Sequence, residues 1–178
     1  PKMKSRFLLL LCLLACMVAC AQQPAYVFKV REPLRNSEAD APLLLLLHGY
    51  GANVDDLFSF AGDLPANFRI VSLQAPIDLG HGQFAWYPLR FEGGRAVADE
   101  SRAQEAVAYI HGFIDFVKAN YSVDAQRIYL MGFSQGTILS YAVALMHPGE
   151  IRGVAGFSSR MLTSIRPEIK ADERHKAL

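Results

Sequence analysis

A serine framed by glycines, Gly132-Phe133-Ser134-Gln135-Gly136, follows the apolar run Arg127-Ile128-Tyr129-Leu130-Met131 and precedes a small-residue segment from Thr137 to Met146. Read in that order, a strand turns sharply into a helix, with Ser134 held in a strained conformation above the sheet edge. Glycine is needed at both flanks, where a Cβ would collide with neighbouring backbone. A serine presented in this way does nucleophilic chemistry: its Oγ attacks a carbonyl carbon and carries the acyl group until water releases it. That chemistry needs donors for the developing oxyanion, and a second motif offers one. His48-Gly49-Tyr50-Gly51 comes directly after Leu43–Leu47, and its glycines allow a loop to bring backbone N–H groups towards the serine. The expected donors are the amides of Gln135, the residue after the nucleophile, and Tyr50; the alternative for this loop is a plain strand-ending turn. His48 precedes Ser134 by 86 positions and is expected to prop the loop, because in this geometry the base follows the nucleophile in the chain.

The elements that must position these residues are legible as short apolar runs alternating with helical patterns. Val27–Arg31 alternates as a first strand, Leu43–Leu47 suits a central strand covered on both faces, and Arg69–Leu73 is a third. Asp55–Ala61 reads as a helix with Asn53 as its cap. Gly80–Gly94, with four glycines around Trp86-Tyr87-Pro88, reads as a long loop over the sheet. Between Asp99 and Asn120 the residues Ala103, Ala106, Val107, Ile110, Phe113, Ile114 and Val117 recur at helical spacing, which predicts an amphipathic helix of about six turns. A strand over Arg127–Met131, a helix running to His147 and a strand over Gly153–Phe157 follow. Strands alternating with helices predict an α/β fold, a mostly parallel sheet with flanking helices, in one domain.

Taken together, Leu47-His48-Gly49-Tyr50-Gly51-Ala52-Asn53, Gln74-Ala75-Pro76, Trp86-Tyr87 and the stretch Arg127–Gly136 resemble the phospholipase/carboxylesterase family of α/β-hydrolases, which includes the acyl-protein thioesterases. The likeness runs from about Leu43 to Ser158. It implies Ser134 as nucleophile, Tyr50 and Gln135 as oxyanion donors and Trp86 as a wall of the substrate cleft. Thr137 departs from the pattern, since many members have a second glycine there; the expected cost is in packing rather than mechanism.

A larger departure concerns the triad, whose acid and histidine should follow the serine at the ends of later strands. Only His147 and His175 follow Ser134. His147 lies thirteen residues along the elbow helix, about 20 Å away at 1.5 Å per residue, too far to reach Oγ. A histidine at a helix end is favoured by the dipole. His175, with Asp172 as its acid, sits in a polar stretch that shows no strand pattern. The reading is therefore a C-terminally truncated hydrolase, with acid and base expected beyond Leu178, Met3 as a candidate start, and little turnover from the chain as it stands.

Composition narrows the partners. The 178 residues are 52% hydrophobic and carry a formal net charge of +1, which gives no electrostatic case for nucleic acid. Lys2, Lys4 and Arg6 lie ahead of an apolar run from Phe7 to Ala19, so residues 1–21 read as a signal peptide too short to span a bilayer. Val18-Ala19-Cys20 resembles the end of a lipobox, with Cys20 the lipidated residue; Ala19-Cys20-Ala21 fits ordinary signal cleavage, and Leu14-Ala15-Cys16 is a weaker lipobox. All three cysteines, Cys12, Cys16 and Cys20, fall in this segment, so no disulfide framework is expected in the domain. The expected location is the bacterial cell envelope, or outside the cell, with membrane contact only through the lipid. No metal-spaced Cys/His cluster and no phosphate-binding glycine loop appears, so neither metal nor cofactor is expected. The leading function is a serine hydrolase of small-molecule esters or thioesters. Alternatives are a dienelactone hydrolase, a secreted polyester or feruloyl esterase, and a non-catalytic envelope protein that keeps the fold for binding. Oligomeric state is not legible.

Overall fold

Five consecutive leucines, Leu43–Leu47, have no polar face, and burial of all five requires cover on both sides of the strand they form. The computed structural model, which describes residues 25–34 and 40–161, supplies that cover. Its elements run β1 (Phe28–Arg31), β2 (Ala41–Leu47), α1 (Asp55–Phe58), β3 (Arg69–Leu73), β4 (Ile77–Gly80), β5 (Gln83–Ala85), β6 (Leu89–Glu92), β7 (Arg95–Ala98), α2 (Glu100–Asn120), β8 (Val123–Phe133), α3 (Gln135–Met146) and β9 (Ile151–Phe157). The main sheet has the order β1-β3-β2-β8-β9, with β1 antiparallel to β3 and the other pairs parallel. β2 is central and buried throughout.

Side chains alternate across a strand, so the leucine run feeds two cores. Leu43, Leu45 and Leu47 join Val71, Leu73 and the buried faces of α2 and α3; Leu44 and Leu46 join Ile70, Leu57 and Ala61 on the other face. On α2 the seven residues picked out by spacing, Ala103 to Val117, are all buried. Each fully buried Val, Ile or Phe among them contributes about 1.5–3 kcal/mol of burial. Asp99 caps that helix, its side chain accepting from the Arg102 amide.

Three details differ from expectation. Residues 80–94 are not a long loop: they contribute to two small hairpins, β4-β5 and β6-β7. Their turns place His81 (φ 54°) with Gly82 (φ 73°), and Gly93 (φ 56°) with Gly94 (φ 77°), in the left-handed region. Two successive positive φ values match the twist of a tight hairpin. α1 ends at Phe58 rather than Ala61, the chain continuing in i→i+3 turns through the Phe60–Leu57, Ala61–Phe58 and Asp63–Phe60 bonds. Asn53 does accept from a helical amide, that of Asp55 at 2.9 Å, although Val54 occupies the cap position. Residues 1–21, Cys20, Asp172 and His175 lie outside the described residues. Among the described residues no helix is long and apolar enough to cross a membrane.

Candidate active site

β8 delivers the glycine-framed serine to the end of the sheet, and Gly132 and Gly136 make the turn sterically feasible. A Cβ on Gly132 would stand 2.5 Å from the Gly136 carbonyl carbon and the Thr137 nitrogen, and one on Gly136 would overlap the Leu47 carbonyl. No side chain fits at either place. Between them Ser134 adopts φ 50°, ψ −112°, immediately before the first residue of α3. A non-glycine residue in such a region costs about 1–3 kcal/mol and persists only where surrounding contacts hold it. Here the Ser134 N–H is held by the Phe157 carbonyl at 2.9 Å, and the Ser134 carbonyl accepts from Ile138 at 3.1 Å to start the helix.

Thr137, expected to cost packing, does more than fill space. Its Oγ1 lies 2.6 Å from the Gly132 carbonyl, 2.9 Å from the Phe157 carbonyl and 3.0 Å from the Phe157 N–H, which donates to it. The hydroxyl thus ties both sides of the elbow to β9. Its methyl group occupies the space that a side chain on Gly156 would need, so the glycine opposite accommodates the threonine.

The His48–Gly51 loop abuts this turn. The Leu47 and His48 carbonyls press on Gly136, and a Cβ on Gly49 would sit 2.9 Å from the Phe133 ring, beside Ser134 in sequence. His48 is fully buried; its Nε2 accepts from the Ala75 N–H at 3.1 Å, so Nδ1 must carry the proton and donate to the Gly49 carbonyl at 2.8 Å. Burial pushes its pKa below the usual value, and the Gly49 bond only partly offsets that. The ring is a neutral strut between the Gln74-Ala75-Pro76 turn and the loop. Gln74 braces the same turn by accepting from the Val54 amide at 2.8 Å.

Trp86, expected as a wall of the substrate cleft, lies largely inside the fold. It is 2% exposed, its indole N–H donates to the His48 carbonyl at 2.8 Å, and it packs in the main core. The indole braces the far side of the His48 loop, and Trp86 also lines a depression of about 300 Å³ with Pro76, Ile77 and Tyr109, apart from the one that Ser134 lines. Gln135 explains how the surrounding chain is held, since its buried side chain accepts from the Trp86 amide at 3.1 Å and donates to the Tyr87 carbonyl at 2.9 Å. The motif residue next to the serine therefore clamps the segment opposite.

Ser134 lines a depression of about 510 Å³ together with Tyr87, Leu89, Ala98, Ile138, Ser158 and Arg160 among others. Among the described residues its lining holds no histidine and no carboxylate. A separate, largely apolar depression of about 480 Å³ is lined by Asp56, Leu57, Phe60, Met131, Phe133 and Phe157, none of which lines the one at Ser134. β8 and β9 end alike: Phe133 is paired with Phe157, and the serine after each, Ser134 and Ser158, has positive φ.

His147 is the C-cap of α3, at the end opposite Ser134, where its ring stacks on His111 with centroids 3.8 Å apart. Burial lowers its pKa, and His111 lowers it further. Here the structure assembles something the sequence reading did not anticipate: His111, His147 and Glu150 present ligand-type atoms all within 4.8 Å of one another. His147-x-x-Glu150 was the one local signal; His111 comes from another helix.

The chain matches the family model for phospholipase/carboxylesterase over residues 31–175, and it belongs to that family. Its fold is that of an α/β-hydrolase, as the resemblance implied. Among individual proteins it is similar to poly(3-hydroxyalkanoate) depolymerase C of Paucimonas lemoignei, 29% identical over 121 residues, covering 66% of this chain and 27% of the depolymerase. It is also similar to acyl-protein thioesterase 1 of Schizosaccharomyces pombe, 26% identical over 130 residues, covering 68% of this chain and 57% of the thioesterase. Among solved structures, esterase PE8 superposes with a TM-score of 0.71 at 25% identity, covering 81% of this chain and 69% of the esterase. The chain thus spans only part of the length of these curated relatives.

Proposed function

We propose that this chain carries the nucleophile and oxyanion donors of a serine hydrolase that cleaves small-molecule carboxylic esters or thioesters through an acyl-Ser134 intermediate. The observation behind this reading is the strained backbone of Ser134, φ 50° and ψ −112°, at the head of α3. Family membership and the likeness to esterases and a thioesterase support the same class.

In the reaction Ser134 Oγ attacks the substrate carbonyl while its proton passes to a base. The carbonyl oxygen becomes an anion held by the N–H of Gln135 and the N–H of Tyr50. Gln135 opens α3, so its amide has no acceptor within the helix and the positive end of the helix dipole lies beside it. One donor of this kind is worth about 2.7–4 kcal/mol in the transition state. The alcohol or thiol leaves with a proton, water attacks the acyl-serine, and the freed acid restores Oγ. Trp86 and His48 hold the loop that carries Tyr50. Base and acid fall to residues outside the described set. We further read residues 1–21 as an export signal with Cys20 as the lipid anchor, for a bacterial envelope or secreted protein; labelled palmitate should follow the protein and be lost in Cys20→Ser.

The test is covalent. In a form of the protein that carries its base, a fluorophosphonate probe is expected to add to the Ser134 peptide, seen by mass spectrometry, and to disappear in Ser134→Ala, with only trace labelling of the 178-residue chain. Modification confined to another serine would overturn the assignment. Turnover of p-nitrophenyl butyrate by the 178-residue chain is expected at trace level; substantial turnover that His175→Ala abolishes would make His175 the base.

A further inference from the structure

We propose that His111, His147 and Glu150 form a binding site for a transition-metal dication, zinc being the best chemical match, at the end of α3 remote from Ser134. Two imidazoles and a carboxylate are a ligand set zinc accepts, with water completing the tetrahedron. His111 comes from α2, while His147 and Glu150 sit on the short connection from α3 into β9, so an ion there would tie α2 to that connection.

The surroundings are arranged as ligands need. Glu150 receives the Lys118 ammonium on Oε1 at 2.8 Å and faces His111 Nε2 with Oε2 at 2.8 Å, so one oxygen is anchored and the other points into the cluster. The other nitrogen of His111, Nδ1, lies 4.0 Å from the Asp115 carboxylate, beyond hydrogen-bond reach, while Asp115 pairs with Lys118 at 2.7 Å. Among the described residues His147 is held by ring stacking on His111 rather than by a hydrogen bond to its ring. That leaves its ring nitrogens uncommitted. Ligand atoms on one tetrahedral zinc stand about 3.3 Å apart at bond lengths near 2 Å. The cluster spans up to 4.8 Å and the two rings lie nearly parallel, so metal binding would turn them out of the stack until both in-plane lone pairs meet one ion, a movement that the 27% exposure of His111 allows.

An ion pair network without metal is the competing account of Glu150, and it predicts no response to zinc. The experiment follows thermal unfolding of the chain with zinc chloride or EDTA, and the visible spectrum with cobalt(II), for wild type, His147→Ala, His111→Gln and Glu150→Gln. Wild type should gain roughly 5–10 °C at zinc a hundredfold above the dissociation constant, and should show the intense visible bands of tetrahedral cobalt. Both signals should be lost in the His147 and His111 variants and weakened in Glu150→Gln. The conservative His111→Gln and Glu150→Gln keep the read-out usable if His147→Ala fails to fold. No zinc response in wild type would overturn the proposal. So would a response that survives all three substitutions, which would put the metal on other residues such as the cysteines.

Discussion

The two ends of α3 are built by different means. At its head the decisive atoms are backbone: Gly132 and Gly136 permit contacts no side chain could share, and a strained Ser134 is fixed by one hydrogen bond to β9 and one within α3. At its tail they are side chains, with His111, His147, Glu150, Lys118 and Asp115 meeting through ion pairs and a stacked ring pair. A site made of backbone tolerates almost no substitution at its glycines but draws on few residue types. A site made of side chains is reached from several elements and can be dismantled one group at a time.

The sharpest way to break the contrast is at Gly136. Gly136→Ala drives a methyl into the Leu47 and His48 carbonyls, and a loss of about 3 kcal/mol or more is expected in urea unfolding, or failure to fold. Gly62→Ala is the control, since nothing lies within 4 Å of its added Cβ and its φ is ordinary. It should be neutral or stabilise by up to about 1 kcal/mol. Equal effects at the two glycines would refute the steric account of the elbow.

Thr137→Val keeps the shape and removes the hydroxyl that ties Gly132 to Phe157. It should cost about 1–3 kcal/mol. If the variant unfolds at the wild-type midpoint, the threonine is filler after all.

A pH series separates the ends more gently. Burial depresses the pKa of His48 and of His147. Unfolding raises each towards the ordinary value of 6.5, so the unfolded chain binds more protons as pH falls below it. Stability is therefore full above about pH 6.5 and declines below it, by at most about 1.4 kcal/mol per pH unit per histidine. The decline should shrink in His48→Asn. A pH response unchanged in that variant would move the effect away from the loop.

The smallest effect is expected from Trp86→Phe, which keeps an aromatic ring in the core but gives up part of the buried indole volume and its bond to His48. A cost of about 1 kcal/mol is expected, with probe labelling of Ser134, in the form that carries its base, slowed but retained. Complete loss of labelling with a native fold would put Trp86 in direct contact with substrate.

The sequence by itself determined the elbow, the leucine strand and the apolar face of α2, because each rests on a local rule: glycine where a Cβ cannot go, an unbroken apolar run where both faces are covered, 3.6-residue spacing where one face is. It also carried the family, through motifs whose order and spacing survive in the chain. The hairpins were partly legible in His81-Gly82 and Gly93-Gly94, but strands of three or four residues give too little alternation to stand out. Only the tertiary structure decided what the motifs lean on. That Gly136 meets Leu47, that Trp86 turns inward to His48, and that Gln135 clamps the Trp86 and Tyr87 backbone are contacts between residues 38 to 89 positions apart. His111 likewise meets Glu150 across 39 positions. Local spacing constrains neighbours along the chain, while these pairings arise from how helices and strands dock, which no local pattern encodes.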